Sequence, residues 1–323
     1  MPVLISRHGE RLDYKLRDSS KGWPTFRDLQ PDTPWNPPMT PAGCRQGAAM
    51  GRAAQRKLSE LGLPPLTAIY TSPLIRCVQT AVAASKAIQA ASRALAPLPV
   101  FVEPSLVETL GENWYRSWAV PSADGTWGGP EGCKRGVEVD AADLHPSARK
   151  SISSVIPTAA QIVSAADSAA AVGPPLMAAE IAECVDTSYA PFADAAARVW
   201  NEFESERELS ARAGAFIDEV ERRHHTRGES VLLVSHGGPT AALFRHAQKG
   251  RDAPKGGWPR CGYCGLYLLE KRGSDGAWDA PLIADAAHLA EVPEARGGAR
   301  TDAVEQKKKK KKKKTGGSKK VKS

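Results

Sequence analysis

The sequence predicts a layered α/β domain, three layers deep, with a mainly parallel sheet flanked by helices. Three observations point there. Apolar runs of strand length recur at Val3-Leu4-Ile5, Thr67–Tyr70, Pro99–Val102 and Val231–Val234. Helix-length segments with start and stop residues separate them, the pattern of strand–helix units. The run Val231-Leu232-Leu233-Val234 is continuous rather than alternating, as expected of a strand buried on both faces.

In chain order, the first run ends at Ser6-Arg7-His8-Gly9, and a polar, Pro-rich loop follows from about Asp18 to Met39. Thr40-Pro41 reads as an N-cap with proline at the first helical position. The helix it opens runs from Ala42 to Leu61 and stops at Gly62. Ser72-Pro73 repeats that start, for a helix from Leu74 to about Leu95. Residues 119–191 are rich in Ala, Ser, Gly and Pro, and are expected to form an insertion, part helical, with one helix over Pro157–Val172. A long helical pattern runs from Phe192 to about His225. After Val231–Val234 a helix resumes over Thr240–Ala247, and Cys261–Leu269 reads as a further strand. The expected organisation is a core of residues 1–118 and 192–295, the insertion 119–191, and a disordered tail 296–323.

The net charge of +8 comes from that tail. Lys307 to Lys314, Lys319, Lys320 and Lys322 carry eleven positive charges, and taking them from +8 leaves −3. The body therefore gives no electrostatic reason to bind nucleic acid. The lysine run has two open readings: a solvated low-complexity segment, or a non-specific polyanion contact through Lys307–Lys322. Apolar residues make up 41% of the chain, enough for a core, and no apolar run approaches the ~18 residues of a membrane span. The six cysteines are scattered over a long chain with no secretory leader. Reduced thiols and a cytoplasmic or nuclear setting are expected. Cys261 and Cys264 have metal-like spacing, but no second pair completes a site, so they read as buried strand cysteines.

Two histidines occupy equivalent positions: His8 and His236 each follow an apolar strand and precede a glycine. In a parallel sheet such carboxyl ends share one edge, where ligands bind. Arg7 and Arg11 flank His8, and Arg76 lies in the first turn of the helix after Ser72. Three arginines and two histidines around one point call for an anion, and a phosphate dianion suits them. A neutral imidazole can attack phosphorus, arginines can neutralise the equatorial oxygens, and a carboxylic acid can protonate the leaving oxygen. Glu108, just past the third strand, is the candidate acid, with Glu103 and Glu112 as neighbours able to compete. Trp114 and Trp118 either line a substrate pocket or pack as i, i+4 neighbours. His224-His225 reads as a polar helix end beside its dipole.

These residues resemble a known family. Arg7-His8-Gly9-Glu10 is similar to the signature of the histidine phosphatase superfamily, the phosphoglycerate-mutase-like fold. Within it, Arg7 to Asp13, Thr71 to Ala81, Gly43-Cys44-Arg45-Gln46, Val102 to Glu108 and Gly262-Tyr263-Cys264 resemble the suppressor-of-T-cell-receptor-signalling phosphatases. The resemblance covers most of residues 1–118 and 192–290. It implies a metal-independent and cofactor-free phosphomonoesterase acting on a phosphorylated small molecule or phosphoprotein. It also implies His8 as nucleophile, Glu108 as general acid, and Arg7, Arg11, Arg76 and His236 as the phosphate pocket. The ubiquitin-associated and SH3 modules of the animal relatives are not in this sequence, so their phosphotyrosine-protein substrates do not carry over. A phosphoglycerate-type mutase on the same fold is the competing reading. It would show a Ser/Asn-bearing extension where Arg11-Leu12-Asp13-Tyr14 stands. An inactive scaffold recruited by its basic tail is the third, and the complete set of His8, His236, Arg7, Arg11 and Arg76 speaks against it.

Overall fold

The computed structural model describes residues 1–17, 36–109, 156–169, 178–194, 204–271 and 278–292. The expected strands and most of the expected helices form. Strand β1 (Pro2–Arg7) is followed by the short helix α1 (Leu12–Arg17), then α2 (Pro41–Glu60), β2 (Leu66–Thr71), α3 (Ile75–Ser92) and β3 (Val100–Val102). Helices α4 (Ala159–Ala169), α5 (Ala178–Cys184) and α6 (Glu206–His224) come next. They are followed by β4 (Ser230–Ser235), α7 (Gly237–Ala247), β5 (Leu266–Lys271) and β6 (Trp278–Asp285).

The sheet is mixed, in the order β3-β2-β4-β1-β5-β6. β3, β2, β4 and β1 run parallel, while β5 and β6 add antiparallel at one edge. Alternation along each strand divides the core between two faces. Leu4, Ile69, Leu232, Val234 and Leu268 face the layer of α2, α3, α4 and α5. Val3, Ile5, Tyr70, Val231, Leu233 and Leu269 face Phe216, Ile217 and Val220 of α6 and Leu243 and Phe244 of α7. The two central strands are therefore apolar on both sides, which is why their sequences do not alternate. β4 lies between β2 and β1, so the chain leaves β1 in one direction along the sheet and returns to β4 from the other. Their carboxyl ends form the point where ligands bind in open α/β sheets.

Local chemistry sets the element ends. The Thr40 hydroxyl accepts from the Gly43 amide at 3.0 Å, so α2 starts as its cap residues predict. α6 begins at Ser205 with a reciprocal capping box through Glu208. The expected helix start at Ser72 needs correction: α3 begins at Ile75 with Leu74 at the cap position, and the Ile75 amide donates to Asn36 Oδ1 at 2.9 Å. The Ser72 hydroxyl is instead engaged with a buried histidine, described below. The expected strand over Cys261–Leu269 also begins later, at Leu266. Residues 262–265 turn, with Gly265 donating to the Gly262 carbonyl at 3.1 Å and Cys264 at φ 51°. Cys264 in that turn and Cys261 just before it are both buried free thiols. β6, absent from the sequence reading, pairs with β5 beyond it.

Within the stretch read as an insertion, α4 and α5 bury Ile162, Ile181 and Cys184 on the same face as α2 and α3. Val185 bridges Val100 of β3. No helix among the described residues is long and apolar enough to cross a membrane. Cys133, Trp114, Trp118, Glu112 and the lysine run lie outside the described residues.

α2 and α3 pack closely because α2 carries small residues at the crossing. A Cβ at Gly51 would lie 2.7 Å from both the Cα and the carbonyl oxygen of Ala84. Alanine is the better helix former by about 1 kcal/mol, yet Gly51→Ala should destabilise the fold by about 1–3 kcal/mol because the helices must separate. Urea midpoints of the two proteins check this, and an unchanged or raised midpoint contradicts it.

Candidate active site

The pairing of β1 with β4 places Arg7 opposite Ser235. The His8 amide donates to the Ser235 carbonyl at 2.9 Å. The next residues, His8 and His236, then meet edge to face with ring centroids 5.2 Å apart. Both are buried, with 1% and 0% of their surface exposed.

Each ring has a defined tautomer. His8 Nδ1 lies 2.8 Å from the Gly9 carbonyl oxygen. A carbonyl only accepts, so the proton sits on Nδ1 and Nε2 keeps its lone pair. His236 Nδ1 lies 3.1 Å from Arg76 Nη2, a group that only donates, so this Nδ1 is the acceptor. Its Nε2 proton goes to the Ser72 hydroxyl oxygen at 2.8 Å. Ser72 is a site residue that the helix-start reading had assigned elsewhere. Burial, and then the charge of Arg76, hold both imidazoles well below their usual pKa. Arg7 and Arg11 add to this effect on both rings, and on His8 the Gly9 bond opposes it.

The three arginines are held in different ways. Arg76, 1% exposed, stands in the first turn of α3. Arg7 lies with its guanidinium carbon 4.4 Å from the ring centroid of Tyr263, whose ring is itself 5.6 Å from that of His8. Arg11 is bound by Asp13 in a fork, Nε to Oδ1 at 3.0 Å and Nη2 to Oδ2 at 2.7 Å, both residues buried. Nε of Arg7 and Nε and Nη1 of Arg76 are buried donors with no acceptor among the described residues. Asp13 and Tyr263 were not singled out from the sequence as site residues. Their signal was proximity to a motif arginine, which by itself names no contact.

Glu108 joins the group. Its Oε2 lies 3.8 Å from His236 Nδ1, and its Oε1 accepts from the Thr109 amide at 3.0 Å. It stands over the start of α7, where a Cβ on Gly238 would come within 3.5 Å of Oε1. Glu103 is committed elsewhere. Fully buried, it accepts from the Ser105 and Phe192 amides at 2.9 and 2.8 Å and from the Tyr189 hydroxyl at 2.8 Å. Four of the expected six residues, His8, His236, Arg76 and Glu108, are thus in mutual contact or close to it. Arg7 and Arg11 are near enough to act on both histidines electrostatically.

The loop after β1 is held by small residues and hydroxyls. Gly9 donates to Thr80 Oγ1 at 3.0 Å, and that hydroxyl donates to the Arg76 carbonyl at 2.7 Å. A Cβ on Gly9 would sit 2.5 Å from the Gly43 carbonyl oxygen. Cys77 Sγ is 3.4 Å from His236 Nε2, but burial pushes its thiol up to about 12, so it is no competing nucleophile. His224 ends α6 as expected. It is buried between the Tyr70 hydroxyl at 2.8 Å and Glu229 at 2.6 Å, away from the two site histidines.

Residues 176–281 match the histidine phosphatase superfamily (branch 1). The histidine phosphatase match takes in β4, His236 and α7, while Arg7, His8, Arg76 and Glu108 precede it. No curated protein matches the chain. Among solved structures, the ecdysone phosphate phosphatase from Bombix mori, in complex with tungstate, is 18% identical with a TM-score of 0.50. That alignment covers 88% of this chain and 96% of that one. A mycobacterial glucosyl-3-phosphoglycerate phosphatase is 21% identical at TM-score 0.45, covering 88% and 99%. Phosphoglycerate mutase from Bacillus anthracis is 16% identical at 0.45, covering 91% and 97%. At such identities the likeness to the Bombix mori enzyme is one of fold. The α/β architecture, a central mixed sheet between helical layers, is shared with that enzyme.

The buried neutral histidines carry a pH signature. The unfolded chain binds protons on them below about pH 6.5, while the folded chain does so only at much lower pH. Stability is then full above pH 6.5 and falls as pH drops below it. Each histidine should contribute a loss on the order of 1 kcal/mol between pH 7.5 and 5.5. Urea unfolding at the two pH values should show a loss about 2–3 kcal/mol smaller in a His8→Gln/His236→Gln variant. An equal loss in the variant contradicts the assignment.

Proposed function

We propose that this protein is a phosphomonoesterase that works through a phosphohistidine on His8, without metal or other cofactor. One observation carries the reading: buried, unaccepted N–H groups of Arg7 and Arg76 lie around a histidine that burial keeps neutral. Charge balance supports it. Asp13 neutralises Arg11, which leaves the two positive charges of Arg7 and Arg76 to match a phosphate dianion. The start of α7, with Gly237 and Gly238 behind His236, adds backbone N–H groups and a positive dipole end.

In this mechanism the His8 Nε2 lone pair attacks phosphorus. The bond from phosphorus to the leaving oxygen breaks, and that oxygen takes its electron pair and a proton from Glu108. Water then attacks the phosphohistidine and gives a proton back to Glu108. The P–N bond breaks, its pair returns to His8 Nε2, and inorganic phosphate leaves. Arg7 and Arg76 bind the equatorial oxygens, where phosphoryl transfer gains most of its stabilisation, and His236 lines the pocket with its Nδ1 accepting from Arg76. Arg11 contributes through its field. Within the superfamily, the motif around His8 favours the suppressor-of-T-cell-receptor-signalling branch over a mutase. The substrate class is phosphate monoesters, carried on a small molecule or a protein.

His8→Ala should lower p-nitrophenyl phosphate turnover about 10³-fold or more, and EDTA should leave the wild type unchanged. Glu108→Gln should reduce kcat/KM for alkyl phosphates by about 10²–10⁴-fold, and much less for p-nitrophenyl phosphate, whose leaving group needs no proton. Transfer of phosphate to a phosphoglycerate acceptor in the presence of a bisphosphate primer, at a rate rivalling hydrolysis, would favour the mutase instead.

The lysine run is proposed as a separate, non-specific polyanion contact. Truncation before Lys307 should leave turnover of a small substrate unchanged and abolish salt-sensitive duplex DNA binding. Equal binding by the truncated chain would assign that contact to the body.

A further inference from the structure

Glu108 leaves the sheet on a segment with no ladder partner. After β3 the chain makes a 3-10 turn, Pro104–Leu106, and Val107 then leads into Glu108. The three carbonyls before Glu108 are each taken by a side chain from elsewhere. Arg212 Nη1, on α6, donates to the Ser105 carbonyl at 2.5 Å and to the Val107 carbonyl at 3.0 Å. Ser235 Oγ donates to the Leu106 carbonyl between them at 2.5 Å. The other edge of the Arg212 guanidinium is held by Glu204, Nε to Oε1 at 2.8 Å and Nη2 to Oε2 at 2.6 Å. The pair is well covered, with side-chain exposures of 13% for Arg212 and 2% for Glu204.

A buried ion pair is a weak stabilising device, because desolvation offsets most of its attraction. A device that fixes two carbonyls on either side of a residue is a good positioning one. A general acid must sit within hydrogen-bond reach of the leaving oxygen, and errors of an ångström are costly.

We propose that Arg212, locked by Glu204, is a positioning residue that sets the place of Glu108 and so controls proton delivery to the leaving group. This rests on Glu108 being the acid, as proposed above. Among the described residues the hydrogen bonds of Arg212 go to Glu204, Ser105 and Val107, so it acts through the 105–107 segment. Lysine would not replace it, since only the planar fork spans Glu204 on one edge and two carbonyls on the other.

The test compares kcat/KM for an alkyl phosphate with that for p-nitrophenyl phosphate. This quantity stops at alcohol release, so it reports the step in which the acid donates. The main variant is Arg212→Met with Glu204→Leu, which removes both charges of this pair together. Its alkyl phosphate kcat/KM should fall about 10–100-fold while p-nitrophenyl phosphate loses less than about threefold. Adding Glu108→Gln should depress the ratio no further than Glu108→Gln alone. An equal loss on both substrates, or a ratio that falls additively with Glu108→Gln, overturns the proposal. A wild-type ratio in Glu108→Gln sinks the acid assignment itself. A lowered ratio there with a wild-type ratio in the Arg212/Glu204 variant sinks only the positioning role. Should that variant not fold, Arg212→Lys keeps the charge opposite Glu204 but loses the fork. A lowered alkyl-to-aryl ratio in it supports the proposal, and a wild-type ratio overturns it.

Discussion

The hydrogen bond from the His8 amide to the Ser235 carbonyl closes the parallel pairing of β1 with β4 at 2.9 Å, and the pocket is built outward from it. It sets the two histidines side by side. The same line continues to either side: the Ser72 amide donates to the Val234 carbonyl at 3.1 Å, and the Cys264 amide to the Arg7 carbonyl at 2.9 Å. Each strand end is thus tied to its neighbour. A slip of one residue between β1 and β4 would turn His8 to the opposite face of the sheet and bring polar residues into the core.

Crowding cationic groups into a dry site is unfavourable, and the fold offsets the cost group by group. Arg11 has a carboxylate in Asp13, Arg7 has the face of Tyr263, and Arg76 has the imidazole of His236. The histidines respond by staying neutral. That neutrality leaves a lone pair on His8 Nε2, so the burial that disfavours charge also prepares a nucleophile. Cys77, equally buried beside His236, is affected in the opposite functional sense, since burial keeps a thiol protonated and inert.

Glu103 and Glu108, five residues apart, illustrate how tertiary contacts divide similar side chains. Glu103 sits where the chain leaves β3 and is consumed by the Ser105 and Phe192 amides and the Tyr189 hydroxyl. Glu108 comes after the turn, at the start of α7, facing His236. The amides that capture Glu103 come partly from Phe192 and Ala193, about ninety positions along the chain. No local pattern around Glu103 announces that partner.

The sequence by itself determined the parallel core strands, the α2 cap at Thr40 and the expectation that His8, His236, Arg7, Arg11, Arg76 and Glu108 gather at one sheet edge. Those features are written in short-range terms: apolar runs, cap residues and spacing from a strand end. Tertiary structure alone decided the antiparallel edge of β5 and β6, the later start of α3 and the use of Ser72 by His236. It also decided the pairing of Arg11 with Asp13, the stacking of Arg7 on Tyr263 and the hold of Arg212 on the Glu108 segment. Each of these is a choice among several chemically adequate partners. Ser72 can cap a helix or hold an imidazole, and an arginine can meet solvent, a ring or a carboxylate. The choice falls to whichever buried polar group would otherwise go unsatisfied, and that is known only once the layers have packed.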